Sequence, residues 1–357
     1  MTIDPKPLAT AVGTLALALA AAPPVSAQTF IEDGGTTTIE SMINEFIGVF
    51  DGPGDQPTTV VFESPANITG LDPDDDSVFV VDNSIVIING GNFVGNITAF
   101  DDATLTINGG VINDDVIGFG SNTGSNTLVV TGGSIGDDLE IYSDGTLTVT
   151  GGSVGEDLEA FEDSFLSFSG GTVANNFTVY DDATALVTGG FIDNDLEAIN
   201  NAAITVRGGS IAEDTEASGS ATIDIFGGTL GTSIASGGNS VITLYGPGFQ
   251  INGQSAGFGE IAPTFGLLSG TLSDGTAFSV DFARITEGFF FRRTGDIVLV
   301  EQAVPEPTSL ALLVLGSAAL LRRQRNASAS DPHPVGEHLY RSWAHAGHLP
   351  IGTNPPC

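Results

Sequence analysis

The chain has 357 residues, 48 of them glycine, and carries 44 acidic against 9 basic side chains, a formal charge of −35. Such a surface repels phosphate, which excludes nucleic-acid binding. The lone cysteine, Cys357, excludes an internal disulfide and any zinc or iron–sulfur site built from thiolates.

Residues 1–27 read as a secretory signal. Lys6 supplies a basic start, Leu8 to Ala22 is the apolar stretch, and Val25-Ser26-Ala27 is a small-residue cleavage site ending at Ala27. Asp4 is atypical of such a start and leaves a different start codon open. The mature chain then begins at Gln28 and is exported. Residues 28–82 show no clean period. Thr59 to Phe62 and Val78 to Val81 read as strands, Leu71 to Asp76 as a loop with four aspartates, and Ser41 to Ile47 as a short helix. A solenoid end exposes strand edges and core, so this segment is expected to be an N-terminal cap with one or two irregular rungs.

Residues 83–253 organise the chain. A diglycine recurs at Gly90, Gly109, Gly132, Gly151, Gly170, Gly189, Gly208 and Gly227, every 19 residues except for one step lengthened by four within Gly120 to Asn126. A fixed period of this size marks a stacked repeat. Before each diglycine runs an alternating segment such as TLTVT, whose apolar positions form columns: Leu105, Leu128, Leu147, Leu166 and onward, beside Ile107, Val130, Val149, Phe168. Period two means a strand with one buried face. Two further apolar columns follow each diglycine, Ile112 to Leu230 and Val116 to Ile234. Polar corners separate them: the diglycine, then a pair such as Asp137-Asp138, then a pair such as Asp181-Asp182. Three strands and three corners per unit predict an all-β fold, a right-handed parallel β-helix of eight or nine rungs. At ~4.8 Å per rung it is roughly 40 Å long. A helical reading fails, because so much Gly, Thr and Asp gives neither the propensity nor the 3.6-residue period.

Residues 254–303 carry further strands, at Phe265 to Leu272, Ala277 to Phe282 and Asp296 to Val300, and read as a C-terminal β cap. Then come Val304-Pro305-Glu306-Pro307, an apolar run from Leu310 to Leu321, and Arg322, Arg323 and Arg325. This order of parts closely resembles the PEP-CTERM sorting signal of bacterial exported proteins, a segment also catalogued as an ice-binding-protein C-terminal domain. The resemblance covers residues 304–325. It implies recognition of Pro305-Glu306-Pro307 by an exosortase-type membrane protease. It also implies a short apolar helix that holds the precursor transiently in the inner membrane, and a final place at the cell surface or in an extracellular matrix. The apolar run is shorter than the ~20 residues of a stable span, and its arginines follow the cytoplasmic-positive rule. Residues 326–357 depart from the pattern, which ordinarily ends soon after the basic cluster. They hold all four histidines and the only Trp. A frameshift or misread gene end is the leading reading of this tail, a disordered cytoplasmic extension the next.

Candidate chemistry is narrow. Between Gln28 and Ala303 there are 40 acidic and four basic residues, and no His, Lys or Cys. That removes Ser-His-Asp and Cys-His catalysis and histidine-based metal hydrolysis. Carboxylate chemistry is left. As a polysaccharide lyase or hydrolase, the chain offers Arg207 with Asp224 as its best pair, against the plainer view that Arg207 relieves repulsion among carboxylates. Asp115, Asp138, Asp157, Asn176, Asp195 and Asp214 form one acidic column, and Glu140, Glu159, Glu197 and Glu216 another. Of these, Asp138, Asp157, Asp195 and Asp214 are candidate cation ligands, with calcium the candidate ion. Gly132 to Glu140 (GGSIGDDLE) resembles the calcium-binding RTX nonapeptide, but Ile135 stands where that repeat has glycine. A Thr-rich outer strand face, including Thr104, Thr106, Thr146 and Thr148, offers a flat rank of hydroxyls to ice or glycan, interrupted at Phe165, Leu186, Arg207 and Asp224. No catalytic residue is assigned. The expected role is a passive, exosortase-sorted β-solenoid that meets polysaccharide or divalent cations.

Overall fold

Alternating apolar residues in the repeat put one side chain of every pair inside, and the structure stacks those sides into one column of core. The computed structural model describes residues 28–70, 76–121, 125–285 and 295–304. Every regular element in them is a β-strand. Successive turns pair in parallel through three faces. The first face holds strands such as Thr146–Val149, the second two-residue strands such as Ser153–Val154, and the third strands such as Leu158–Ala160. Equivalent positions sit directly above one another: Leu128 on Leu147, Leu147 on Leu166, and Leu139 on Leu158. The parallel β-solenoid and its 19-residue spacing stand as expected.

The stack is longer than eight or nine rungs. About eleven turns are present, because the segment before Asp82 is itself regular. The first-face strands Thr36–Ile39, Thr59–Phe62 and Ile85–Ile88 pair in register although they are spaced more widely than 19 residues. The expected helix over Ser41 to Ile47 is two strands, Met42–Ile43 and Phe46–Val49. Stacking overrides local propensity there: Ile47 and Val49 are fully buried, paired with Val78 and Val80 of the next turn. The lengthening near Gly120 falls between strands Val116–Phe119 and Thr127–Val130, and Thr104 still pairs with Thr127.

The two glycines of each pair answer different needs. The second adopts positive φ, as at Gly152 (88°) and Gly171 (98°), where a side chain would be strained. The first has ordinary φ but lies under the turn before: a Cβ on Gly170 would stand 2.5 Å from the Thr150 carbonyl oxygen. The third corner turns through a left-handed residue as well, and there Asp101, Ser143, Glu162, Asp181 and Asn200 adopt φ of 56–67°.

At the C-terminal end the parallel stack closes. Strand Ala277–Ile285 pairs in parallel with Ser233–Gly237, and Asp296–Glu301 with Val241–Gly246. Antiparallel strands then cover both, Phe265–Thr271 over the first and Gly259–Glu260 over the second. Arg284 locks this cap. Its side chain, 8% exposed, pairs with Glu260 at 2.6 Å and Asp296 at 2.7 Å, and donates to the Ile261 and Gly295 carbonyls. The apolar helix expected over Leu310 to Leu321, like the signal segment and the tail, lies outside the described residues. No helix among the described residues is long and apolar enough to cross a membrane.

Candidate functional site

The repeat brings its chemistry to one edge, the corner between the second and third faces. The Asp column there is a ladder. Each side chain accepts a hydrogen bond from the backbone N–H of the equivalent residue one turn on. Asp115 Oδ1 accepts from Asp138 at 3.0 Å, Asp138 from Asp157 at 2.8 Å, and Asp157 from Asn176 at 2.8 Å. Asn176 accepts from Asp195 at 3.3 Å and Asp195 from Asp214 at 2.8 Å, while Asn96 starts the run and Thr232 ends it. The four candidate cation ligands Asp138, Asp157, Asp195 and Asp214 therefore each have a structural task. A corner breaks the strand ladder and leaves a backbone donor without a carbonyl partner, and a short side-chain oxygen fills the gap.

Two residues beyond, on the third face, the glutamates point outward. Glu140 pairs with Glu159, Thr178 intervenes, and Glu197 pairs with Glu216. Carboxylate oxygens of Asp138, Glu140 and Glu159 lie within 4.8 Å of one another, as do those of Asp114, Asp115 and Asp137, and those of Asp137, Asp138 and Glu156. Half-burial in this crowd disfavours charge. Burial first, and then neighbouring carboxylates, raise Asp115, Asp138, Glu140 and Glu197 above their usual range. Glu159 is pushed up to about 7, by burial and then by Glu140.

Next to the glutamates runs a file of aromatic rings. Phe100, Phe119, Tyr142, Phe161 and Tyr180 stack at centroid separations of 5.0, 4.7, 4.4 and 4.7 Å, with planes within 20° of parallel. Each ring spends its faces on its neighbours, so the file holds the turns together and offers outsiders only its edges. Tyr142 donates to Glu140 at 3.1 Å. Burial and the Glu159 charge push the Tyr180 hydroxyl up to about 12.

Arg207 and Asp224, the best pair for an enzyme, are not joined. Arg207 lies over the Phe226 ring at 4.6 Å from its centroid, and Asp224 accepts a hydrogen bond from Tyr245 at 3.3 Å. They are not register partners: Thr205, two positions before Arg207, faces Asp224, and Arg207 faces Gly227 across a register shift. Among the described residues the ion pairs are those of Arg284. The Thr face is present but broken: the column through Thr104, Thr127 and Thr146 passes to Phe165, and that through Thr205 to Asp224. The aromatic file and the Arg284 lock are not among the residues that the sequence pattern singles out. The file was visible as Phe or Tyr recurring two residues after the outward position of the glutamate column, for example Tyr142 after Glu140 and Phe161 after Glu159.

The last described residues run straight into the sorting segment. Strand Asp296–Glu301 ends three residues before Val304. Residues 303–326 match the PEP-CTERM protein-sorting motif. The motif implies an exported protein sorted by exosortase. It implies too a precursor that transits the membrane and is processed by that membrane protein. No curated protein and no solved structure matches the chain.

Proposed function

We propose that the exosortase-sorted chain is a cell-surface or extracellular-matrix component whose solenoid acts passively, as a stiff acidic support that meets glycans and cations along its faces. The observation that carries this reading is the parallel turn-to-turn pairing that recurs among the described residues from Gln28–Ile31 to Ala277–Ile285, with a sorting motif behind it in the sequence. The carboxylates of the Asp ladder hold backbone, and those of the glutamate row lie on an open face, so divalent cations associate as screening counter-ions. The Val304 to Pro307 segment and Arg322, Arg323 and Arg325 serve sorting, and Ala27 ends the signal. The test is fractionation of a host that has exosortase. The native chain is expected in the matrix or at the surface, and a chain with Pro305 and Pro307 replaced by Ala in the inner membrane as precursor. Recovery of the native protein as free, unattached material, with an unchanged matrix after gene deletion, refutes the role.

Glu159 favours one second reading. A carboxyl near pH 7 beside the Glu140 carboxylate is the arrangement that lets one acid donate and the other stay ionised in glycoside hydrolysis. The pair is half-buried beside the aromatic file, with Tyr142 already donating to Glu140, which weighs against it. Release of reducing ends from acidic or neutral glycans, lost in Glu159→Gln, would replace the passive reading with this one.

A further inference from the structure

The two ends of the solenoid differ, and the difference points to a partner. The first turn consists of β1 (Gln28–Ile31), β2 (Thr36–Ile39) and β3 (Met42–Ile43). Each pairs on one side only, with Phe46–Val49, Thr59–Phe62 and Asn67–Ile68 respectively. Among the described residues nothing pairs with their outer edges, whereas the C-terminal end is covered by antiparallel strands. Open edges are ordinarily blunted by charge, proline or a bulge. The ten residues of these three strands, QTFI, TTTI and MI, include no charge and no proline. Phe30 is 53% and Met42 60% exposed, and Ile31 and Ile43 are only half-buried.

We propose that this end is an interface with a second copy of the chain, joined N-terminal end to N-terminal end. The occupant must supply three short strands along the same three faces, and another first turn does so. A head-to-tail array is blocked, because the C-terminal end of the next copy is already capped. A two-fold axis through the middle of β2 sets β2 antiparallel to its equivalent and brings β1 opposite β3, a self-complementary and closed contact. The chain upstream supplies no competitor once the signal is cut after Ala27, since Gln28 is then both the first residue and the start of β1. Glu32, Asp33, Glu40 and Glu45 ring the contact, so association strengthens as salt screens them. The proposal is independent of the passive role.

The test is sedimentation of the exported chain, with its N-terminus sequenced, across a dilution series at low and high salt. The expected result is a chain beginning at Gln28 whose mass moves from one to two copies with concentration, at lower concentration in high salt. Phe30→Lys with Met42→Lys lies at exposed positions that leave the fold intact, as circular dichroism checks, and is expected to stay at one copy. Phe265→Lys, 76% exposed on the C-terminal cap, is expected to dimerise as the native chain does. A native chain at one copy throughout, an N-terminus upstream of Gln28, larger open-ended assemblies, or dissociation by Phe265→Lys but not by the paired variant each overturns the proposal.

Discussion

Asp157 decides whether the acidic column is a backbone ladder or a row of strained carboxylates. Its Oδ1 accepts the Asn176 N–H at 2.8 Å, and its own N–H donates to Asp138 at 2.8 Å. A hydrogen bond to a charged acceptor contributes about 2 kcal/mol, a neutral one about 1. Against this stands repulsion from Asp138 one turn away. At ~5 Å, a half-exposed pair between the water limit and the protein-surface limit costs about 1 kcal/mol. Its other column neighbour, Asn176, is neutral, so within the column the repulsion counts once, and the Glu159 and Glu197 charges add to what either substitution relieves. Asp157→Asn exchanges a charged acceptor for a neutral one and removes the repulsion, so the two changes cancel and stability stays within about 0.5 kcal/mol. Asp157→Ala also removes the repulsion but leaves the Asn176 N–H without its partner, for a net loss of about 1 kcal/mol. That separates the variants by roughly 2–4 °C in melting temperature. Thermal unfolding followed by circular dichroism at low salt measures it. An alanine variant as stable as the asparagine variant, or more stable, refutes the ladder. A large calcium-dependent stabilisation of the native chain that Asp157→Asn abolishes would show instead that the column is a cation site.

Three further outcomes follow from the same geometry. Gly170→Ala puts a methyl 2.5 Å from a backbone oxygen and is expected to lose more than about 2 kcal/mol in urea unfolding; a neutral result means the turns are not stacked as described. Glu159, near 7 when folded against 4.5 as a model carboxyl, binds its proton more tightly in the native state. Its contribution is present below pH 4.5 and is lost as pH rises through 7, so the native chain gains stability over Glu159→Gln on acidification from pH 8 to 5. The full shift is worth roughly 3 kcal/mol, discounted to about 1 for its exposure, and parallel pH profiles for the two proteins would contradict it. Arg284→Ala leaves the Ile261 and Gly295 carbonyls without their donor and is expected to cost about 3 kcal/mol, with hydrogen-exchange protection lost in residues 259–301 and kept in the central turns. Uniform loss along the chain would deny Arg284 its place in the cap.

The solenoid itself was legible in the chain because its diglycines recur at a 19-residue step with one exception and its side chains obey a period of two. A strand position such as Leu147 can be inward only if Leu128 and Leu166 are inward too, so one column betrays all. The sorting motif was equally plain, since a membrane-bound reader must recognise it as linear sequence. The first turns were hidden: without diglycines at fixed spacing, nothing local distinguishes Met42–Ile43 from the start of a helix. Only the neighbouring turn, by burying Ile47 and Val49 against Val78 and Val80, makes them strands.

Composition also determined what the exported body cannot do with histidine, lysine or thiol, and that its surface is anionic. What the acids do was settled by stacking. Sequence aligns Asp138 with Asp157 but cannot say that one carboxylate receives the other's N–H, because the gap it fills opens only when a corner lifts the backbone out of its ladder. In the same way Arg207 and Asp224, neighbours on paper, turn to Phe226 and Tyr245. An offset of two residues along the strand carries each side chain to another partner, and register is a property of the packed turns.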